Sequence, residues 1–134
     1  YYKLIKMYGK KAKIVENLEL LHPLISISDV IIISDSTVGL EALLHNKPVI
    51  DLDLTNRGYY QDYVKKGVAL GVKKEEDLIP AIKLALDNNK TKKRLEKNRQ
   101  KYVYEHAYKM DGKATERIVS IINEIINDQS LESK

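Results

Sequence analysis

Apolar and polar positions along the chain fall into two alternating patterns. Val30-Ile31-Ile32-Ile33 is an unbroken β-branched run, the pattern of a strand buried on both faces. Val49-Ile50-Asp51-Leu52-Asp53, opened by Pro48, and Val68-Ala69-Leu70-Gly71-Val72 read as two more strands. Ala12-Lys13-Ile14-Val15-Glu16 is a fourth candidate. Between these runs the apolar residues recur at helical spacing. Leu18 to Ile27 carries Leu18, Leu21, Leu24 and Ile25 on one face, and Val38 to His45 turns Leu40, Leu43 and Leu44 inward. Tyr60 to Lys66, ended by Gly67, reads as a short helix. Glu75-Glu76-Asp77 puts acid in the first turn of another helix that runs to Leu86, as the helix dipole favours. Asn88-Asn89 breaks it, Lys90 to Tyr104 is a basic helix, and Asp111-Gly112 is a turn. Lys113 to Asn127 is amphipathic, with Ile118, Val119, Ile121, Ile122, Ile125 and Ile126 as its stripe. Tyr1 to Tyr8, closed by Gly9, reads as the tail of a helix.

Strands alternating with helices predict an α/β domain: a Rossmann-like parallel sheet flanked by helices, with right-handed crossovers. That unit takes in residues 1–127, and 128–134 is expected to fray. With 134 residues, 43% hydrophobic and 31% charged, the composition is that of one globular domain, too apolar for a disordered chain and too polar for a membrane protein. The net charge is +4, and among the 23 basic residues Arg supplies only 4. This speaks against nucleic acid as a partner, since Arg forks dominate base contacts. It suits a phosphorylated ligand or an anionic surface. Cysteine is absent, so disulfides, thiolate metal sites and cysteine nucleophiles are excluded. A start at Tyr1-Tyr2-Lys3 reads as a piece cut from a longer protein.

Ligands of open α/β sheets gather beyond the carboxyl ends of the strands. The most informative end is Ile33-Ser34-Asp35-Ser36-Thr37-Val38-Gly39-Leu40-Glu41, where a buried strand runs into hydroxyl residues and then a helix. The free N–H groups of a first helical turn favour an anion, most often phosphate. Ser36 and Thr37 add hydroxyl donors, and Gly39 permits close approach. Glu41, one turn on, suits the vicinal hydroxyls of a ribose. Together these residues read as a nucleotide site. The same spacing also fits an ordinary N-cap followed by a solvated Glu41, and neither a Walker A pattern nor G-x-G-x-x-G is present.

The run from Ser28 to Leu43, with Asn46-Lys47-Pro48-Val49-Ile50 behind it, resembles the C-terminal domain of GT-B-type nucleotide-sugar enzymes. The nearest groups are the UDP-N-acetylglucosamine 2-epimerases and the CDP-glycerol glycerophosphotransferases with related surface-polysaccharide transferases. Asp111-Gly112-Lys113-Ala114 before an Ile-rich helix also resembles the end of such domains. The resemblance spans roughly residues 20–127. It implies that Ser36, Thr37 and the amides of Val38 and Gly39 hold the donor diphosphate and that Glu41 takes the ribose. It also implies that His22 and Pro23 lie near the base, with Asp35, Arg57 and Tyr59 along the cleft. The donor is of UDP or CDP type, with no separate cofactor and no metal. Position 33 is Ile33 where a Glu-x7-Glu transferase needs an acid, and Gly39-Leu40 departs from the Gln-Glu-Glu run of the epimerases. The second departure favours a transferase of surface-polysaccharide biosynthesis over an epimerase. The acceptor site and catalytic base are then expected on a separate N-terminal Rossmann-like domain. Four strand candidates where the family has about six suggest an incomplete domain. Such a piece is inactive alone, sits in the cytoplasm or at the inner face of the membrane, and pairs as a homodimer to cover its open sheet edge. A non-catalytic α/β interaction domain is the reading from outside the enzymes.

Other constellations compete. Asp51-Leu52-Asp53-Leu54-Thr55 matches the D-x-D-x-T of haloacid-dehalogenase-like phosphatases, or a bare D-x-D metal motif. A phosphatase carries that motif on its first strand, and here it follows two candidate strands. Arg57-Gly58-Tyr59-Tyr60 reads either as a tight loop with half-buried tyrosines or as a place where Tyr59 or Tyr60 stacks on a base or sugar and Arg57 meets a phosphate. Lys90 to Lys101 sets seven cations against Glu96, a face suited either to water or to an anionic membrane. His22, His45 and His106 stand at no metal-ligand spacing.

Overall fold

The computed structural model describes Met7 and residues 11–132, with side chains through Asp128. Three parallel strands form its centre: β1 (Ile31–Ile33), β2 (Val49–Leu52) and β3 (Ala69–Val72), in the spatial order β1-β2-β3. Ile31 faces Val49, and Val49 faces Ala69. Ile33, Asp51 and Gly71 therefore lie in one row near the carboxyl ends. A 3-10 turn (Leu18–Leu20) leads into α1 (Leu21–Ile27) before the sheet. α2 (Val38–Leu44) joins β1 to β2. After β3, a 3-10 turn (Glu75–Asp77) starts α3 (Leu78–Asp87). α4 (Asn89–Ala107) and α5 (Ala114–Glu132) follow. Asn88, the expected breaker, also starts α4, because its side chain accepts the Thr91 N–H at 2.8 Å.

The sheet is covered on both faces, as its β-branched strands require. On one face Ile33, Val49 and Ala69 pack with Ile25 of α1, Leu43 of α2, Tyr102 of α4 and Tyr63 of the β2–β3 connection. On the other, Ile50 and Val72 pack against Ala81 and Ala85 of α3. Ile32, beside Ile50 in register, stays 41% exposed. Among the described residues β1 and β3 are both edge strands.

Two expected elements differ. Residues 12–16 form no strand: no ladder reaches them, and Ile14 and Val15 are exposed. Tyr60 to Lys66 is a single turn rather than a helix. The Lys66 N–H reaches Asp62 O, while Tyr63 O accepts from both Val68 and Ala69. The amides of Tyr60 and Gln61 bond Asp35 instead of starting a helix. The reading of residues 1–8 as a helix tail lies outside the described residues apart from Met7. Among the described residues no helix is long and apolar enough to cross a membrane.

Candidate functional site

The turn between β1 and α2 is built from below by carboxylates. Asp35 adopts φ 51°, a left-handed conformation that Asp tolerates better than most residues. Its N–H donates to Asp51 Oδ1 at 3.0 Å. Its own Oδ1 accepts from Tyr60 N at 3.0 Å and Gln61 N at 2.9 Å. The turn is thus tied to β2 and to the β2–β3 connection at once. Beyond it, Val38 N–H donates to Ser36 Oγ (3.3 Å) and Gly39 N–H to Ser36 O (3.1 Å). The amides of Val38 and Gly39, expected to hold a diphosphate, are therefore engaged within the turn. Within this turn the amides of Ser36 and Thr37, one step earlier in the chain, bond none of the described residues. Accepting from Val38 leaves the Ser36 hydroxyl proton free to donate.

Gly39 has a different use. It is buried, and a methyl there would stand 2.6 Å from Tyr63 Cε2 and 2.9 Å from Ile33 Cδ1. What comes close to it is the Tyr63 ring, not a ligand. Tyr63 Oη accepts the Leu40 N–H at 3.2 Å. Burial raises the Tyr63 phenol above its ordinary value, further aided by the charges of Asp51, Asp62 and Asp35 against the opposing Leu40 bond.

The D-x-D pair supports loops rather than a metal or a phosphoryl group. Asp51 is fully buried, and its Oδ2 has no hydrogen-bond partner. Burial pushes its carboxyl above the ordinary range, opposed by the Asp35 N–H and aided by the charges of Asp35 and Asp53. Asp53 takes Arg57 N on Oδ1 (3.0 Å) and Gly58 N on Oδ2 (2.9 Å). Burial raises it, but the amides of Gly58 and Arg57, the Thr55 hydroxyl and Lys73 outweigh that, and the net shift is downward. The carboxylate fixes a loop in which Asn56 and Gly58 both have positive φ. Among the described residues no three His, Cys, Asp or Glu side chains come together as metal ligands.

Glu41 and His22 meet between α1 and α2. His22 Nε2 lies 3.7 Å from Glu41 Oε2, and His22 Nδ1 lies 3.3 Å from His45 Nε2. Ser26 Oγ lies 3.1 Å from His45 Nδ1. Pro23 is exposed on α1 and Arg57 on its loop. Tyr59 is half-buried, with its hydroxyl against Gly71 and bonded to the Val72 backbone. The Asp35 carboxylate holds backbone amides of the β2–β3 connection.

A cavity of about 350 Å³ lies at the amino ends of the strands, among Leu43, Lys47, Pro48, Lys92 and Arg99. Sequence reasoning read Asp51 through its D-x-D motif, as a catalytic or metal group or as a carboxylate at the loop mouth, and did not join Tyr63 or His45 to the Ser36–Glu41 region. Asp51 carried a signal, an acid inside an apolar strand. Tyr63 and His45 carried none, because their contacts cross 23 positions of sequence.

Residues 3–124 match the family model described as CDP-Glycerol:Poly(glycerophosphate) glycerophosphotransferase. Neither the curated proteins nor the solved structures hold a match to the chain.

Proposed function

Because this chain belongs to the CDP-glycerol:poly(glycerophosphate) glycerophosphotransferase family, a family of transferases, we propose that its Ser36–Glu41 surface is the donor wall of a two-domain GT-B-like cleft. One observation carries the reading: unbonded amides at Ser36 and Thr37 stand where β1 enters α2, with the Glu41 carboxylate one turn along. The donor is a CDP-activated polyol phosphate, CDP-glycerol by the family's description. The Ser36 and Thr37 donors meet its pyrophosphate, and Glu41 accepts from the ribose hydroxyls.

In the transfer, an acceptor hydroxyl oxygen bonds the phosphorus that bears glycerol. The pyrophosphate bridge breaks, and the bridging oxygen leaves on CMP. The hydroxyl proton passes to a base, proposed on the second domain. Backbone donors aimed at the bridging and non-bridging oxygens stabilise the charge that moves onto CMP. The exposed cations of α4 suit a polyanionic acceptor or the anionic membrane that carries it. The family match favours transfer over epimerisation.

Calorimetric titration with CDP, CMP and inorganic phosphate tests the reading. CDP is expected to bind well beyond phosphate. Glu41→Ala is expected to weaken CDP and CMP about tenfold, the worth of a charge-assisted bond pair, and to leave phosphate nearly unchanged. Equal loss for all three ligands, or none, would overturn Glu41's role.

A further inference from the structure

Four elements, reaching in from both faces of the sheet, converge on one hollow at the amino ends of the strands. Leu43 of α2, Val68 before β3, Ala85 of α3 and Leu95 of α4, all buried, line a cavity of about 350 Å³, the size of a small-molecule site. The backbone beside it has little left to donate. Asn46 N–H donates to Leu43 O, Lys47 N–H to Ala42 O and Val68 N–H to Tyr63 O, and Pro48 has no N–H. Such a floor suits hydrocarbon better than water, which needs several polar partners.

The rim has the opposite character. Lys92, Glu96 and Arg99 recur on α4 at the spacing of one helix face, which Leu95 shares, and Lys47 stands on the α2–β2 turn. Three cations against one carboxylate leave this rim positive. Lys92 Nζ gives one of its N–H groups to Leu86 O at 3.2 Å and keeps the others. Among the described residues no ion pair engages Lys47, Lys92, Arg99 or Glu96. An inorganic anion held by these cations would leave the floor wet, and a neutral hydrocarbon on the floor would leave the cations unmatched. An anion with an apolar body satisfies both. Three cations from two parts of the chain exceed what the paired oxygens of a carboxylate engage; they match the terminal oxygens of a phosphate monoester.

We propose that this cavity is a second ligand site, for a small organic phosphate with an apolar body. The body lies against Leu43, Val68, Ala85 and Leu95, and the phosphate oxygens accept from Arg99, Lys92 and Lys47. The site shares no residue with the Ser36–Glu41 surface, which lies beyond the carboxyl ends of the strands. It therefore stands or falls apart from the donor reading.

Carbon-13 methyl NMR of the 134-residue chain, titrated with hexyl phosphate, hexanol, hexanoate and inorganic phosphate, tests it. Hexyl phosphate is expected to shift the methyls of Leu43, Val68 and Leu95 saturably, and to bind about tenfold more tightly than any of the other three. No shift at these methyls, or shifts confined to the exposed isoleucines of α5, would overturn the proposal. Parity of hexanol would remove the rim from the site, parity of inorganic phosphate would remove the floor, and parity of hexanoate would make the ligand a carboxylate; each overturns it. Lys47→Gln and Arg99→Gln change part-exposed side chains and are expected to keep the wild-type urea midpoint. Each is expected to weaken hexyl phosphate about three- to tenfold and to leave hexanol unchanged; wild-type affinity in both variants would overturn the phosphate assignment. Calorimetry with CDP separates the two sites. CDP affinity is expected to be the same with and without saturating hexyl phosphate. Competition would place hexyl phosphate on the donor surface and end this inference, whereas CDP that binds in neither condition ends the donor reading alone.

Discussion

Asp51 combines full burial with an oxygen that finds no partner. Its Oδ1 is needed, because it accepts the N–H of Asp35 and so holds the turn from which Ser36 and Thr37 project. Its charge is not needed. The folded-state value stands above the ordinary 3.8, chiefly through burial. The folded chain therefore binds this proton more tightly than the unfolded chain. Stability from this group is full below the unfolded value of 3.8 and falls as pH rises towards the folded one. Asp51→Asn keeps the acceptor and removes the buried charge. It is expected to stabilise the fold near neutral pH and so to raise the melting temperature there. At about pH 3 the gain should vanish, since Asp51 is then protonated in both states. Asp51→Ala removes the acceptor as well and is expected to destabilise at every pH. Thermal melts of the two variants across pH check both. Asp53 has the opposite sign. Its folded value is lowered, so its contribution is present above 3.8 and lost as pH falls through the folded value.

At the scale of elements, the passage from β1 to α2 depends on the closeness of Gly39 to Tyr63. The ring fills the space a side chain would need, and its hydroxyl accepts the Leu40 N–H. Gly39→Ala forces a methyl to 2.6 Å from that ring. Overpacking of this kind costs about 1–3 kcal/mol, and urea unfolding should show it. In a Tyr63→Ala background most of that cost should disappear, a coupling that a double-mutant cycle measures. The same elements show what the sequence could tell. β1, β2 and β3 were legible because unbroken β-branched and apolar runs of this length leave few alternatives. α2 and its polar entry were legible for the same local reason. Residues 12–16 carry a similar pattern without a neighbouring strand to pair with, and pairing is not a local property. Tyr60 to Lys66 failed as a helix because Asp35, 25 positions away, takes its first amides. The placement of Ser36, Thr37 and Glu41 was readable; the engagement of the Val38 and Gly39 amides depended on a turn geometry that spacing alone leaves open.

For the whole molecule, apolar surface is distributed unevenly between a closed core and an open stripe. Leu43 is 1% exposed, packed with Ile25, Val49 and Tyr102 where α1, α2 and α4 meet the sheet. Along α5, Ile122 is 49% exposed and Ile125 53% exposed. The amphipathic pattern of Lys113 to Asn127 identifies a helix with an apolar face, but periodicity does not say what that face touches. The difference has a measurable consequence. Leu43→Ala removes atoms from a filled interior and is expected to cost about 2–5 kcal/mol. Ile122→Lys and Ile125→Lys remove atoms from contact mainly with water, and each is expected to change stability by no more than about 0.5 kcal/mol. Urea unfolding followed by the near-ultraviolet signal of the buried Tyr63 and Tyr102 compares all three at low protein concentration. A loss of 2 kcal/mol or more for either isoleucine, which would be about the cost of emptying a core site, would mean that α5 packs on the domain in solution and that its stripe belongs to the core.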